Sequence, residues 1–124
     1  MTGDRQDESA LAVARAEAAS EAWRAAARHQ RDAVADHADF YALAGEVTTT
    51  LRALDDLFRV LRRQVGGYGG GRCLYDDTGR ISAVGRLQEA VSAIEGAQTR
   101  LAEADQLVNA FWSAIGHIGV RHAP

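Results

Sequence analysis

Gly66-Gly67-Tyr68-Gly69-Gly70-Gly71 lies between two long stretches with helical periodicity. In the first stretch, apolar residues recur every seven positions, as in a coiled coil, with a second set four positions after each: Phe40, Ala44, Val47, Leu51, Leu54, Phe58, Leu61 and Val65. This spacing aligns them along one face of a helix. Because glycine loses much conformational freedom on ordering, the glycine run favours a loop at which the chain reverses.

The second stretch carries a matching stripe. After the break, apolar residues recur at steps of three and four without a polar member: Leu87, Ala90, Ile94, Ala97, Leu101, Ala104, Val108, Phe111, Ile115 and Ile118. Two apolar faces joined by a loop predict an all-α fold, a long antiparallel helical hairpin with an Ala-rich N-terminal helical arm that forms a helix bundle on dimerisation.

The helix boundaries follow from the breakers and caps. We predict one domain over residues 1–124, with helix at 7–65, a Gly-rich loop at 66–78 and helix at 79–118. A kink near Gly45 is the alternative to a continuous first helix, because glycine followed by β-branched residues forms helix poorly. Asp77, Thr78 and Ser82 are the candidate N-caps of the last helix.

Composition limits the size of the core and the class of protein. Of the 124 residues 47% are hydrophobic but only 6% aromatic, so the core is thin and self-association is favoured. No apolar run reaches about 18 residues and the N-terminus is polar, which predicts a cytoplasmic protein without a membrane segment. The single Cys73 excludes a disulfide within the chain. All 14 basic residues are arginine, which is typical of a GC-rich bacterial genome.

Helix register provides a prediction about assembly. If Val65 lies opposite Gly79, facing residue numbers add up to about 144, so Leu51 meets Ile94 and the arm at residues 7–25 has no partner. We therefore expect a homodimer, with a monomeric three-helix bundle that reverses near Gly45 as the alternative. The expected core is Leu51, Leu54, Phe58, Leu61, Leu87, Val91, Ile94, Leu101, Val108 and Phe111. The expected assembly surface is Leu11, Trp23, Val34, Phe111, Trp112 and Ile115.

Charge concentrates around the glycine break. Residues 59–86 carry six arginines and two aspartates, a net charge of +4 in a chain whose net charge is −3. A hairpin places this segment at its tip, and the candidate partner-binding residues there are Arg62, Arg63, Tyr68, Arg72, Tyr75 and Arg80. The alternative is a plain connector whose arginines complement the helix dipole. Gln98 and Asp105 flank the apolar stripe and are expected to set partner orientation.

Sequence motifs for catalysis are weak. Cys73 has no histidine nearby to act as a base, and the spacing of His29, Asp32, Asp36 and His37 is not that of a di-iron bundle. We therefore predict no catalytic, cofactor-binding or metal-binding residues, and no enzyme activity. The predicted function is a non-enzymatic protein–protein interaction or scaffold protein that acts through helical packing. The alternative is a nucleic-acid-associated accessory factor that uses the arginine-rich tip, which the acidic net charge disfavours.

Overall fold

The protein consists of three helices within the part described by a computed structural model, which covers residues 2–122 and the side chains of residues 7–122. They are α1 (Thr2–Asp32), α2 (His37–Gly66) and α3 (Ala83–Gly116), and no strand occurs among the described residues. The predicted all-α class is confirmed. None of these three helices is long and apolar enough to cross a bilayer.

The helices divide into two compact units, one containing α1 and the other containing α2 and α3. In the first unit, α1 is rich in alanine, and His29 and Arg31 in its last turn complement the helix dipole. Leu11 and Val13 are about half exposed, at 48% and 58%. The prediction of a single domain over the whole chain stays a prediction.

The helix predicted over residues 7–65 is interrupted at residues 33–36, not near Gly45. The Ala33 amide donates to the Gln30 carbonyl at 3.2 Å, a tightened turn typical of a helix end. Asp36 then precedes the first residue of α2, a position at which aspartate is strongly favoured, and Asp39 in the first turn complements the dipole. The break therefore occurs without glycine or proline, next to an aspartate at a favoured position.

The α2 helix continues through Gly45, so the predicted kink there does not occur. The hydroxyls of Thr48, Thr49 and Thr50 each donate to the carbonyl four residues earlier, at 3.1, 3.1 and 2.9 Å. These bonds satisfy the hydroxyls without unwinding the backbone. On the opposing helix the Trp112 ring lies against Gly45.

The α3 helix begins at Ala83 rather than at residue 79, and ends at Gly116 rather than at 118. Ser82 is the N-cap, since its hydroxyl accepts a 3.0 Å hydrogen bond from the Gly85 amide. It was one of the three candidate caps predicted from the sequence. Gly79 lies in the connector at a positive φ of 67°, outside any helix. Four residues that were assigned to the helix therefore belong to a turn.

Helices α2 and α3 form the predicted antiparallel hairpin, but the predicted register is wrong. Facing residue numbers add up to 157 for Gly45 with Trp112, for Arg52 with Asp105 and for Arg62 with Glu95. The value of about 144 assumed that the connector ends at residue 79. Because the connector extends to Ser82 and folds as a turn of its own, Leu51 lines a cavity with Leu101 instead of meeting Ile94.

Burial between the two helices is shallow. Ala44 and Thr48 are 4% and 3% exposed, and no large side chain among the described residues is fully buried. Leu54 and Phe111 are 40% and 50% exposed, so their assignment to the core is wrong. The helices approach each other along small side chains, and the larger apolar side chains lie beside that contact line.

Candidate functional site

On α2, one edge of the apolar stripe lies beside the line that contacts α3. Ala44 and Thr48 are buried, and the Asp55 carboxylate accepts a 3.3 Å hydrogen bond from Gln98 Nε2 of α3. Each of these contact residues follows an apolar residue, in order Leu43, Val47 and Leu54. One residue corresponds to about 100° of helix rotation. Leu43, Val47 and Leu54 therefore point roughly sideways from the contact line.

The same offset occurs on α3. Gln98, Asp105 and Trp112 contact α2, and the residues that precede them are Ala97, Ala104 and Phe111. Seen from one end, antiparallel helices turn in opposite senses. A step of one residue backwards on each helix therefore leads to the same side of the pair, and the two stripes form one continuous surface.

We name this surface the open apolar face. It consists of Phe40, Leu43, Val47, Leu54, Leu61 and Val65 on α2 and of Ala90, Ala97, Leu101, Ala104, Val108 and Phe111 on α3. None of these residues is charged. Leu54 and Phe111 are 40% and 50% exposed, and Leu57 beside them is 44% exposed. The other ten residues of this face are partly buried, so the packing of α2 on α3 covers it only in part.

Polar contacts hold the two helices together beside the open apolar face. Arg52 Nε pairs with Asp105 at 3.2 Å, and Arg62 pairs with Glu95 at 2.9 Å. Asn109 Nδ2 donates to the other Asp105 oxygen at 2.6 Å. Gln98 and Asp105, predicted to orient a partner, thus make their contacts within the hairpin. The two salt bridges span α2 and α3 in the observed register, and because their arginines are half exposed or more they add little stability.

The six residues of the predicted assembly surface fall in different places. Leu11, Trp23 and Val34 belong to the unit that contains α1, while Phe111, Trp112 and Ile115 lie on α3. Phe111 belongs to the open apolar face. The Trp112 ring instead packs within the hairpin, its centroid 5.3 Å from that of Tyr41, and Ile115 is partly buried. Val34 is 90% exposed in the segment between helices.

The sequence pattern did not identify Leu54 and Leu57 as surface residues. The seven-residue repeat includes Leu54 but cannot state which part of a wide stripe faces the partner helix. The signal that was available is stripe width, because Leu57 and Leu54 extend the apolar arc beyond what one neighbouring helix covers.

The predicted tip is a folded connector. Arg72 stacks on the Tyr68 ring, its guanidinium carbon 4.2 Å from the ring centroid, and Arg72 Nη1 donates to the Tyr68 carbonyl at 3.0 Å. Gly71 follows the glycine-rich turn with φ of 72°, a left-handed conformation that favours glycine. One cation–π contact and a series of backbone turns thus shape the segment that the sequence predicted to be a loop.

Asp76 organises the second half of the connector. Its carboxylate is 4% exposed and accepts hydrogen bonds from the Thr78 hydroxyl, from the Arg80 amide at 3.3 Å and from Arg86 Nε at 2.7 Å. The hydrogen bond from Thr78 and then that from Arg86 lower the pKa of Asp76 from 3.8 to about 2. The hydrogen bond to Asp76 also raises the pKa of Arg86. This network ties the turn to the first residues of α3.

The six predicted tip residues are thus only partly available to a ligand. Arg62 pairs with Glu95, whereas Arg63, Arg72 and Arg80 make no salt bridge within the described residues. Tyr75 is 86% exposed. Beside them, a cleft of about 590 Å³ opens between the glycine turn and the start of α3, lined by Gly66, Gly67, Gly69, Gly70, Val84, Leu87, Gln88, Val91 and Ser92. The tip therefore presents three cations next to a mostly apolar cleft.

Residues that could carry chemistry are dispersed. Cys73 is exposed in the connector, and the described residues contain no group of three or more His, Cys, Asp or Glu side chains placed to hold a metal ion. Comparisons with protein-family models, with curated proteins and with solved structures found no match. The functional proposal is therefore built on this chain's own residues.

Proposed function

We propose that this chain is a non-enzymatic protein–protein interaction or scaffold protein that acts through helical packing. The observation that supports the proposal is the open apolar face, on which Leu54 and Phe111 remain 40% and 50% exposed along a surface without charge. Large contiguous apolar surfaces on soluble proteins are typical of binding sites for other proteins. Action in the cytoplasm is part of the proposal, and the single exposed thiol of Cys73 suits it.

The apolar composition of this surface makes its burial against a partner favourable. Helix faces of leucine, valine and phenylalanine gain about 25 cal/mol for each Å² removed from water, without requiring a matching polar group. The hairpin supplies such a face on two parallel ridges, with Leu54 on α2 and Phe111 on α3 at its rims. A helical partner that lies along the groove between the ridges buries apolar side chains that α2 and α3 leave exposed.

Radical footprinting tests this proposal, because it labels side chains according to their accessibility. We expect Leu54, Leu57 and Phe111 to be protected from labelling in the purified protein or in an extract of the cells that make it. The matched controls are Leu107 and Val60, which are 72% and 39% exposed and lie off the face, and these should react fully. Full labelling of the face in both samples would contradict the proposal.

A second candidate is a nucleic-acid-associated accessory factor. The observation that favours it is that Arg63, Arg72 and Arg80 at the tip form no salt bridge with any residue that the structure describes. Phosphate contacts predict an affinity for DNA that falls steeply with salt. Replacing Arg63 and Arg72 by Gln should then weaken binding, whereas replacing Arg100, which pairs with Glu103, should not. No binding to duplex or single-stranded DNA at low salt removes this candidate.

A further inference from the structure

We infer that the partner on the open apolar face is the same face of a second copy of this chain, which closes a four-helix bundle. This inference rests on the proposed function and names the partner of the same surface. It differs from the arm exchange expected from sequence, in which the N-terminal arm of one chain covers the other.

The first step is size. The face runs over residues 40–65 of α2 and 90–111 of α3, which is about 35 Å at about 1.5 Å per residue. Two helices about 10 Å apart make it about 20 Å wide, so its footprint is about 700 Å². As the projected area of one side of the helix pair, this value approaches the roughly 800 Å² per partner of a standard interface.

The second step is charge. In a two-fold symmetric dimer each face meets its own copy, so a charge near the symmetry axis lies close to the same charge of the partner. None of the residues of the open apolar face is charged. The charged residues nearest to it, Arg52, Asp55 and Asp105, line a cavity with Leu101, and each of them makes a salt bridge or hydrogen bond between α2 and α3. A second copy can therefore pack on it without like-charge repulsion.

Helix α1 does not carry an apolar stripe that matches the open apolar face. Its large apolar side chains are Leu11, Val13 and Trp23. At about 100° per residue, Val13 lies about 160° from Leu11 around the helix and Trp23 about 120° from it. These side chains do not form a stripe, and the alanines between them bury little area. By contrast, the open apolar face of a second copy offers a continuous stripe on each of two helices.

The test is the mass of the full-length protein in solution, measured by sedimentation equilibrium at micromolar concentration. We expect twice the chain mass of 13.3 kDa for the wild type. Leu54→Glu should halve the mass, because it places two charges in the interface. The matched control is Val60→Glu, since Val60 is 39% exposed against 40% for Leu54 but lies about 120° away on α2, and it should stay dimeric. Circular dichroism checks that each variant is helical.

Phe111→Glu provides a second disrupting variant on α3 if Leu54→Glu fails to fold. A monomeric wild type, or a dimer that both face variants leave intact, overturns the inference. If the wild type is monomeric, binding of the dye ANS, which reports exposed apolar surface, then tests the proposed function separately. A monomer that binds the dye has an open face that suits a different protein, so the proposed function survives. A monomer that does not bind it covers the face with its own chain, and both proposals fail.

Discussion

The Trp112 ring lies across Gly45, where a β-carbon on Gly45 would sit 3.5 Å from Cζ2 of the indole. This separation is an ordinary van der Waals distance, so the site has room for a methyl group. Glycine inside a helix costs about 0.5–1 kcal/mol relative to alanine, because its unfolded chain has more freedom to lose. Gly45 is thus a weak point of α2 that the Trp112 contact tolerates but does not require.

Gly45→Ala should therefore stabilise the hairpin by about 0.5–1 kcal/mol in urea unfolding followed by circular dichroism. Gly96→Ala is the matched control, since a β-carbon there meets nothing within 4 Å and reports the backbone effect alone. Similar gains for the two variants would show that Trp112 accommodates the methyl group. A loss of stability in the Gly45 variant alone would mean that the ring packs more tightly than the geometry indicates.

The sequence predicted the two helices of this hairpin more accurately than the register between them. Seven-residue periodicity in α2 and the absence of polar residues from the α3 stripe were sufficient for helix type, because local spacing alone decides it. Ser82 was also recognisable, since its hydroxyl needs only a partner three residues along the chain. Each of these signals is contained within a few residues.

Register and exposure could not be predicted in the same way. The offset of Leu54 from the α3 contact depends on where the connector ends, and this depends on how Asp76 binds Arg86, ten residues away. Nothing in the sequence around an aspartate in a turn indicates that it binds an arginine ten residues away. The break before His37 was missed for a related reason, because one aspartate at the right position competes with an otherwise helical stretch.

Close approach of α2 and α3 at Ala44 leads to the second prediction. Ala44 is 4% exposed, so Ala44→Leu must separate the helices or strain its rotamer, and we expect a cost of about 1–3 kcal/mol. Ala42→Leu is the control, because Ala42 is exposed on the same helix and should change stability by no more than about 0.5 kcal/mol. Equal effects of the two substitutions in urea unfolding would place the helix contact elsewhere.

The third prediction concerns the N-cap of α3. Ser82→Ala removes the acceptor of the 3.0 Å hydrogen bond from the Gly85 amide and should destabilise the protein by about 1 kcal/mol. Ser92, exposed in the interior of α3, is the matched control, and its replacement by alanine should be neutral or slightly stabilising. Thermal unfolding of both variants at one pH decides the matter. A Ser82 variant as stable as the wild type would mean that another group caps the helix.

The last prediction is an acid dependence set by Asp76. In the folded protein, hydrogen bonds from Thr78 and Arg86 lower the pKa of this carboxyl to about 2, against 3.8 for the ordinary group. The unfolded chain therefore binds the proton more readily, and the contribution of Asp76 to stability is present above about pH 4 and is lost as the pH falls towards 2. Carbon-detected NMR titration of the Asp76 carboxyl should give the lowered value directly.

Asp76→Asn should lower stability near neutral pH and flatten this part of the acid profile, because the amide does not titrate and pairs less well with Arg86. Asp77→Asn is the matched control, since Asp77 is an exposed neighbour in the same turn, and its profile should follow that of the wild type. The network would be refuted as a stabilising element by an Asp76 titration at the ordinary pKa, or by identical acid profiles for the wild type and the Asp76 variant.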